Sequence, residues 1–147
     1  MFGTMKRLLF IIFIMCCFAP SALFADYVDD KLPDGTSAQI KEGARQIIDL
    51  GVKRRHVVKI TKRMIKSNFD EKQIVAAYDV LIAARKKGLS EDPLMDKLNE
   101  GIAKEVQPDK IIQAMEKVRG RYETASRYAK ILSNDEKHIK QKEQQEQ

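Results

Sequence analysis

The sequence predicts an all-α protein: a small bundle or short superhelical stack of about five helices, built from helical hairpins and closed by a long C-terminal helix. Two observations carry this. Between residues 40 and 132 apolar residues fall on helical faces, interrupted by cap and turn residues. One phrase also recurs four times, an apolar residue followed by four mostly polar residues and an apolar pair. The copies are Val52 with Val57-Val58, Phe69 with Ile74-Val75, Leu89 with Leu94-Met95, and Val106 with Ile111-Ile112. An apolar N′ residue packing on N4 is the hydrophobic staple of a helix start, and those two positions lie five residues apart. The starts are spaced 17, 20 and 17 residues apart. The larger period is therefore about 37 residues, a two-helix unit used twice. At that offset Gly51 aligns with Gly88, Val57 with Leu94, Ile65 with Ile102, Phe69 with Val106, Ile74 with Ile111, and Ala77 with Ala114.

Residues 1–25 have the three parts of a secretory signal. Lys6 and Arg7 give the charged start, Leu8 to Phe18 the apolar run, and Ala19 to Ala25 the small-residue stretch before Asp26. The run is short for a membrane-spanning helix. Cleavage after Ala25 therefore predicts an exported, periplasmic or secreted chain with no transmembrane span. Retention as an uncleaved anchor is a weaker alternative. So is lipoprotein attachment at Cys16 or Cys17, because Met15 or Cys16 would precede the site where a small residue is wanted. Both cysteines leave with the signal, so the exported chain has no disulfide framework, thiolate metal site or cysteine nucleophile. About 120 residues remain, enough for one domain with its own core. The formal charge of +6 falls to +4 without Lys6 and Arg7, too small a balance to name a partner.

Residues 26–36 hold little apolar content and the turn Pro33-Asp34-Gly35, and read as an extended lead-in. The helical domain is expected over 37–132. Thr36 to Gln39 fits a capping box for a first helix with Ile40, Ala44, Ile47 and Ile48 inward, closed by Gly51. A second helix from about Arg54 to Ser67 turns Val57, Ile60, Met64 and Ile65 inward behind a poor Lys53 cap. A third, capped by Asp70, runs to about Lys87 on Ile74, Ala77, Tyr78, Leu81 and Ile82. Arg85, Lys86 and Lys87 suit its negative end and Gly88 closes it. The fourth, capped by Ser90, buries Leu94, Leu98 and Ile102 up to about Lys104. The fifth starts at Pro108 with Gln107 as cap. Its seam of Ile111, Met115, Val118, Tyr122, Ala125, Ala129 and Leu132 has the 4-3 spacing of a heptad. The favoured reading is that this helix spans the bundle and packs on several shorter ones; the other is contact with a second chain. Gly120 within it suggests a close crossing or a kink. Residues 133–147 are a polar, charged tail, a frayed helix or disordered.

Catalytic signals are missing. His56 and His138 have no partner histidine at ligand spacing, and there is no HExxH, GxSxG, phosphate-binding glycine loop or EF-hand. No catalytic, cofactor-binding or metal-binding residue is assigned, and no cofactor is expected. In Glu42-Gly43 and Glu100-Gly101 the glycine reads as room for helix packing. The sharpest constellation is Lys53 to Lys66, with seven cations and no acid. Arg55, Lys59, Lys62, Arg63 and Lys66 share one helix face, opposite Val57, Ile60, Met64 and Ile65. This face is the candidate binding site, for an envelope protein or an anionic envelope surface. A merely solvated face, partly neutralised by acidic neighbours, is the plain alternative. Export and the lack of interleaved aromatics argue against nucleic acid.

Glu100-Gly101-Ile102-Ala103-Lys104-Glu105-Val106-Gln107-Pro108 resembles a segment of uncharacterised exported bacterial helical proteins, with the pattern EG-x-A-K-x-V-x-P before an amphipathic helix. The likeness covers about residues 88–118. It implies a helix-turn-helix hairpin and brings no activity, cofactor or binding residue with it. The function expected is therefore an exported, non-enzymatic helical interaction module. The alternatives are a ligand carrier or enzyme with a site between helices, and a homo-oligomeric structural protein using the seam through Tyr122.

Overall fold

The computed structural model describes residues 22–145, with side chains for residues 27–134. Six helices and no strand form among the described residues: α1 (Ala22–Lys31), α2 (Ala38–Asp49), α3 (Arg54–Lys66), α4 (Glu71–Lys86), α5 (Asp92–Ala103) and α6 (Pro108–Gln145). Neighbours in sequence pair as hairpins, α1 with α2 and α5 with α6. The even-numbered helices also pack in a row, α2 on α4 on α6, and the odd-numbered ones form a second, looser row. The core lies between the rows, built on Ile47, Val57, Met64, Ile74, Tyr78, Leu81, Leu94, Leu98, Ile111 and Met115.

The recurring phrase is the helix joint, made the same way four times. Gly51, Asn68, Gly88 and Glu105 all have positive φ, at 91°, 58°, 73° and 53°. The next residue, Val52, Phe69, Leu89 or Val106, donates its N–H five residues back, to the carbonyl of Ile47, Met64, Ala84 or Gly101. The positive-φ residue itself donates three back, to Ile48, Ile65, Arg85 or Ile102. Together these bonds are the Schellman ending, whose second outer residue is typically apolar. Each apolar residue of the phrase thus ends one helix and opens the next.

Side chains then tie equivalent places of successive units, about one repeat apart. Arg63 donates to Asn99, Gln73 to Asp109, and Lys87 pairs with Glu123. Arg85 reaches from α4 to the last carbonyl of the α2 end, at 3.0 Å and 3.2 Å to Leu50 O, and pairs with Glu91 at 3.2 Å. Arg85 also donates to Leu89 O at the end of its own helix, so it serves both ends.

Several expectations change. Residues 26–31 are helical rather than extended, in α1, because Val28 and Leu32 stand four apart and bury into the core. A stripe of two residues is too short to read as a helix without its packing partners. α2 is capped by Ser37 Oγ, 3.3 Å from Ile40 N, while the Thr36 hydroxyl bonds back to Pro33 O. At α5 Glu91 takes the N-cap place instead of Ser90, although Ser90 Oγ still accepts from Asp92 N. Finally, α6 does not stop near residue 132 but continues as helix to Gln145. It does not span the bundle as expected either. Ile111 and Met115 are buried and Val118 is half-buried, but Tyr122, Ala125, Ala129 and Leu132 are exposed. A Cβ at Gly120 would meet nothing within 4 Å, so no close crossing accounts for that glycine. The signal expected over 1–25 lies outside the described residues, except that residues 22–25 open α1.

Candidate functional site

α3 holds the candidate face because its other face is fixed. Val57, Val58, Ile60, Thr61 and Met64 are buried. The Thr61 hydroxyl donates to Val57 O at 2.7 Å, which leaves its oxygen to accept from the Tyr78 hydroxyl of α4. Burial pushes the Tyr78 hydroxyl up to about 12, although the bond to Thr61 opposes this. This one buried polar pair sets the rotation of α3 against α4. The opposite side of α3 must therefore face solvent.

Four of the five candidate residues do. Arg55, Lys59, Lys62 and Lys66 are exposed and follow one another at i+4, i+3 and i+4, a stripe along one side of the helix. Arg63 differs: it is half-buried, and its guanidinium donates to Asn99 Oδ1 of α5. Arg63 joins two helices of the odd row and belongs to the scaffold. Lys53 extends the exposed charge at the helix start, and Arg54 stands 5.9 Å over the Tyr27 ring.

The electrostatics of the stripe are one-sided. Among the described residues no acid forms an ion pair with Arg55, Lys59, Lys62 or Lys66. Three acids near α3 pair with other cations. Asp29 of α1 pairs with Lys41 at 3.0 Å and Arg45 at 2.8 Å, and the Lys41 bond holds its carboxyl below the usual range. Glu91 pairs with Arg85. Glu100 of α5 pairs with Lys104 and Lys97, which together pull its carboxyl down to about 2. Neighbouring charges of the stripe repel by roughly 0.7 kcal/mol at about 6 Å in water, before screening.

Local chemistry makes α3 costlier still. Its N-cap Lys53 makes no side-chain bond, and no acid stands in its first turn, where Arg54 and Arg55 face the positive end of the helix dipole. By contrast α4 has a full capping box, with Asp70 and Gln73 bonded reciprocally.

Elsewhere the geometry is structural. A Cβ at Gly43 would lie 2.5 Å from Tyr78 Cδ2, and one at Gly101 would lie 2.6 Å from Ile111 Cγ1. Both glycines of the Glu-Gly segments therefore admit a neighbouring helix, as the sequence suggested. Among the described residues no three His, Cys, Asp or Glu side chains converge as metal ligands would. No described helix is long and apolar enough to cross a membrane. A shallow groove beside α6, lined by Leu89, Ile131, Lys87, Arg127 and Lys130, was not foreseen. No protein-family model matches the chain, and neither a curated protein nor a solved structure matches it.

Proposed function

We propose that the chain is an exported, non-enzymatic helical module that docks an anionic surface of another envelope component on the outer face of α3. The observation that carries the reading is the stripe of Arg55, Lys59, Lys62 and Lys66, exposed and without an ion pair among the described residues, on a helix whose other face is buried. A solvated surface that serves only solubility has no reason to gather one sign of charge. Nor has it reason to forgo a cap and set cations at the wrong end of the dipole. Local rules broken at a cost mark functional positions more often than neutral ones. The apolar side of α3 is spent on the core, so the contact is peripheral and electrostatic rather than inserted.

The test is binding to envelope extract, followed by crosslinking and mass spectrometry to report partner and compartment together. Binding should weaken about tenfold or more when ionic strength is raised well past the screening regime of a single charge pair. The combined Lys59→Glu, Lys62→Glu and Lys66→Glu variant should lose it while keeping the helical spectrum and melting temperature. Normal binding by that variant would reduce the face to solvated surface.

A further inference from the structure

We infer that the anionic surface met by α3 is a phospholipid bilayer, an inference that rests on the docking reading and names its partner. Headgroup phosphates lie along the cationic stripe, and one lipid sits in a groove at the start of the helix. The outward side of α3 holds nothing but cations. Arg54, Arg55, Lys59, Lys62 and Lys66 are the exposed residues of the helix, and Lys53 is exposed just before it. None of the exposed large apolar side chains among the described residues lies on α3. A protein partner is held through a desolvated centre of aromatic or apolar anchors, and lysine is depleted from such interfaces. A row of lysines without an anchor suits instead a surface whose charges are many, mobile and equivalent, as headgroup phosphates are.

The repeat does not require these cations. At the offset of 37 residues Arg55 matches Asp92, Lys59 matches Asp96, Lys62 matches Asn99 and Lys66 matches Ala103 of α5. The fold accepts either sign at these positions, so packing does not account for the cations of α3.

The groove separates a lipid from a purely polar polyanion. It lies beside the first turn of α3 and encloses about 520 Å³. Its floor is half-buried Tyr27 and Ile48 with buried Val52, and Lys53, Arg54 and Arg55 form its rim. Arg54 stands 5.9 Å over the Tyr27 ring, which sets a positive charge directly beside the apolar floor. A phospholipid has a part for each: its phosphate for the rim, its glycerol and first acyl carbons for the floor. The groove is shallow, so the contact stays at the level of the headgroups, as the buried inner side of α3 requires. Two acids oppose it. The Arg63–Asn99 bond sets α5 beside α3, and Asp96 and Asp92 stand about one and two turns before Asn99, both exposed.

Co-sedimentation of the full chain with vesicles of phosphatidylcholine, alone or with about 30 % phosphatidylglycerol, tests this. At about 50 mM salt binding to the anionic vesicles should be at least tenfold tighter than to the neutral ones, and it should be lost by about 500 mM. Each cation near such a surface contributes roughly fivefold, so the combined Lys59→Glu, Lys62→Glu and Lys66→Glu variant should bind at least a hundredfold more weakly. Asp92→Asn with Asp96→Asn should tighten binding severalfold. Poly-glutamate, an anion without an apolar part, should displace the chain poorly at equal charge. The apolar run from Leu8 to Phe18 is common to parent and variants, so binding through it would survive the triple variant and appear with neutral vesicles. Equal binding to neutral vesicles, parent-like binding by the triple variant, or ready displacement by poly-glutamate would overturn the inference. If the triple variant lost envelope extract while the parent ignored anionic vesicles, the docking reading would stand and the bilayer would fall as its partner. Normal extract binding by that variant would remove both.

Discussion

α4 and α6 are equivalent helices one repeat apart that begin alike and end differently. Ile74 matches Ile111 and Tyr78 matches Met115, and all four are fully buried. From there they diverge. Leu81 is buried where Val118 is half-buried, and Arg85 ties the α2 end where Tyr122 is exposed. At the next matching place Gly88 turns the chain at φ 73°, whereas α6 has Ala125. Glycine adopts that conformation freely and alanine resists it. α4 therefore stops, and α6 runs on past everything that covers it. Gly88 favours the stop of α4, and α6 has no glycine at the matching place.

The largest break in the equivalence should come from truncating its buried members. Leu81→Ala removes a side chain with no exposure, packed between the rows, and should cost about 3 kcal/mol. Val118→Ala at the matching place in α6 should cost about 1 kcal/mol, because that side chain is only partly buried. Thermal melts of the two variants side by side give the contrast directly, at about 4 °C per kcal/mol. Equal losses would mean that α6 is as enclosed as α4.

Next in size are the glycines on either side of the same boundary. Gly101→Ala drives a Cβ to within 2.6 Å of Ile111 Cγ1 and should destabilise by about 2 kcal/mol. Gly120→Ala meets nothing within 4 Å and should stabilise by about 1 kcal/mol through helix propensity. Opposite signs from one substitution, separated by 19 positions, locate where helix packing on α6 gives out. Denaturant midpoints at constant slope measure both.

The all-α class, the hairpins and nearly every inward residue were legible because a helix face repeats over three or four turns. α1 was not, since Val28 and Leu32 give a single turn and only the packing of α2 and α3 against them makes it a helix. The joints were half legible. Gly51 and Gly88 announced their backbone, but Asn68 and Glu105 adopt the same conformation with side chains that do not advertise it. The basic stripe on α3 was visible as composition. Arg63 was misplaced within it because its partner, Asn99, stands 36 residues away. The projection of α6 was hidden for a related reason. Periodicity reports that a face is apolar, not whether a neighbour is long enough to cover it.

The smallest effect concerns the two joints whose helix ends lack glycine. Asn68 and Glu105 occupy matching places at φ 58° and 53°. Asparagine tolerates this region better than other non-glycine residues, whereas glutamate has no local bond to offset the strain. Glu105 is also exposed, and no ion pair holds it among the described residues. Glu105→Gly should therefore stabilise the chain by about 1 kcal/mol, after the entropy that glycine adds to the unfolded state. Asn68→Gly should change stability by only a few tenths. If the two joints responded alike, glutamate would not be strained there, and the α5–α6 hairpin would owe its shape to α6 packing rather than to its turn. A pair of melting curves decides it, since the four backbone bonds of these joints are the same in kind and only the residue at the turn differs.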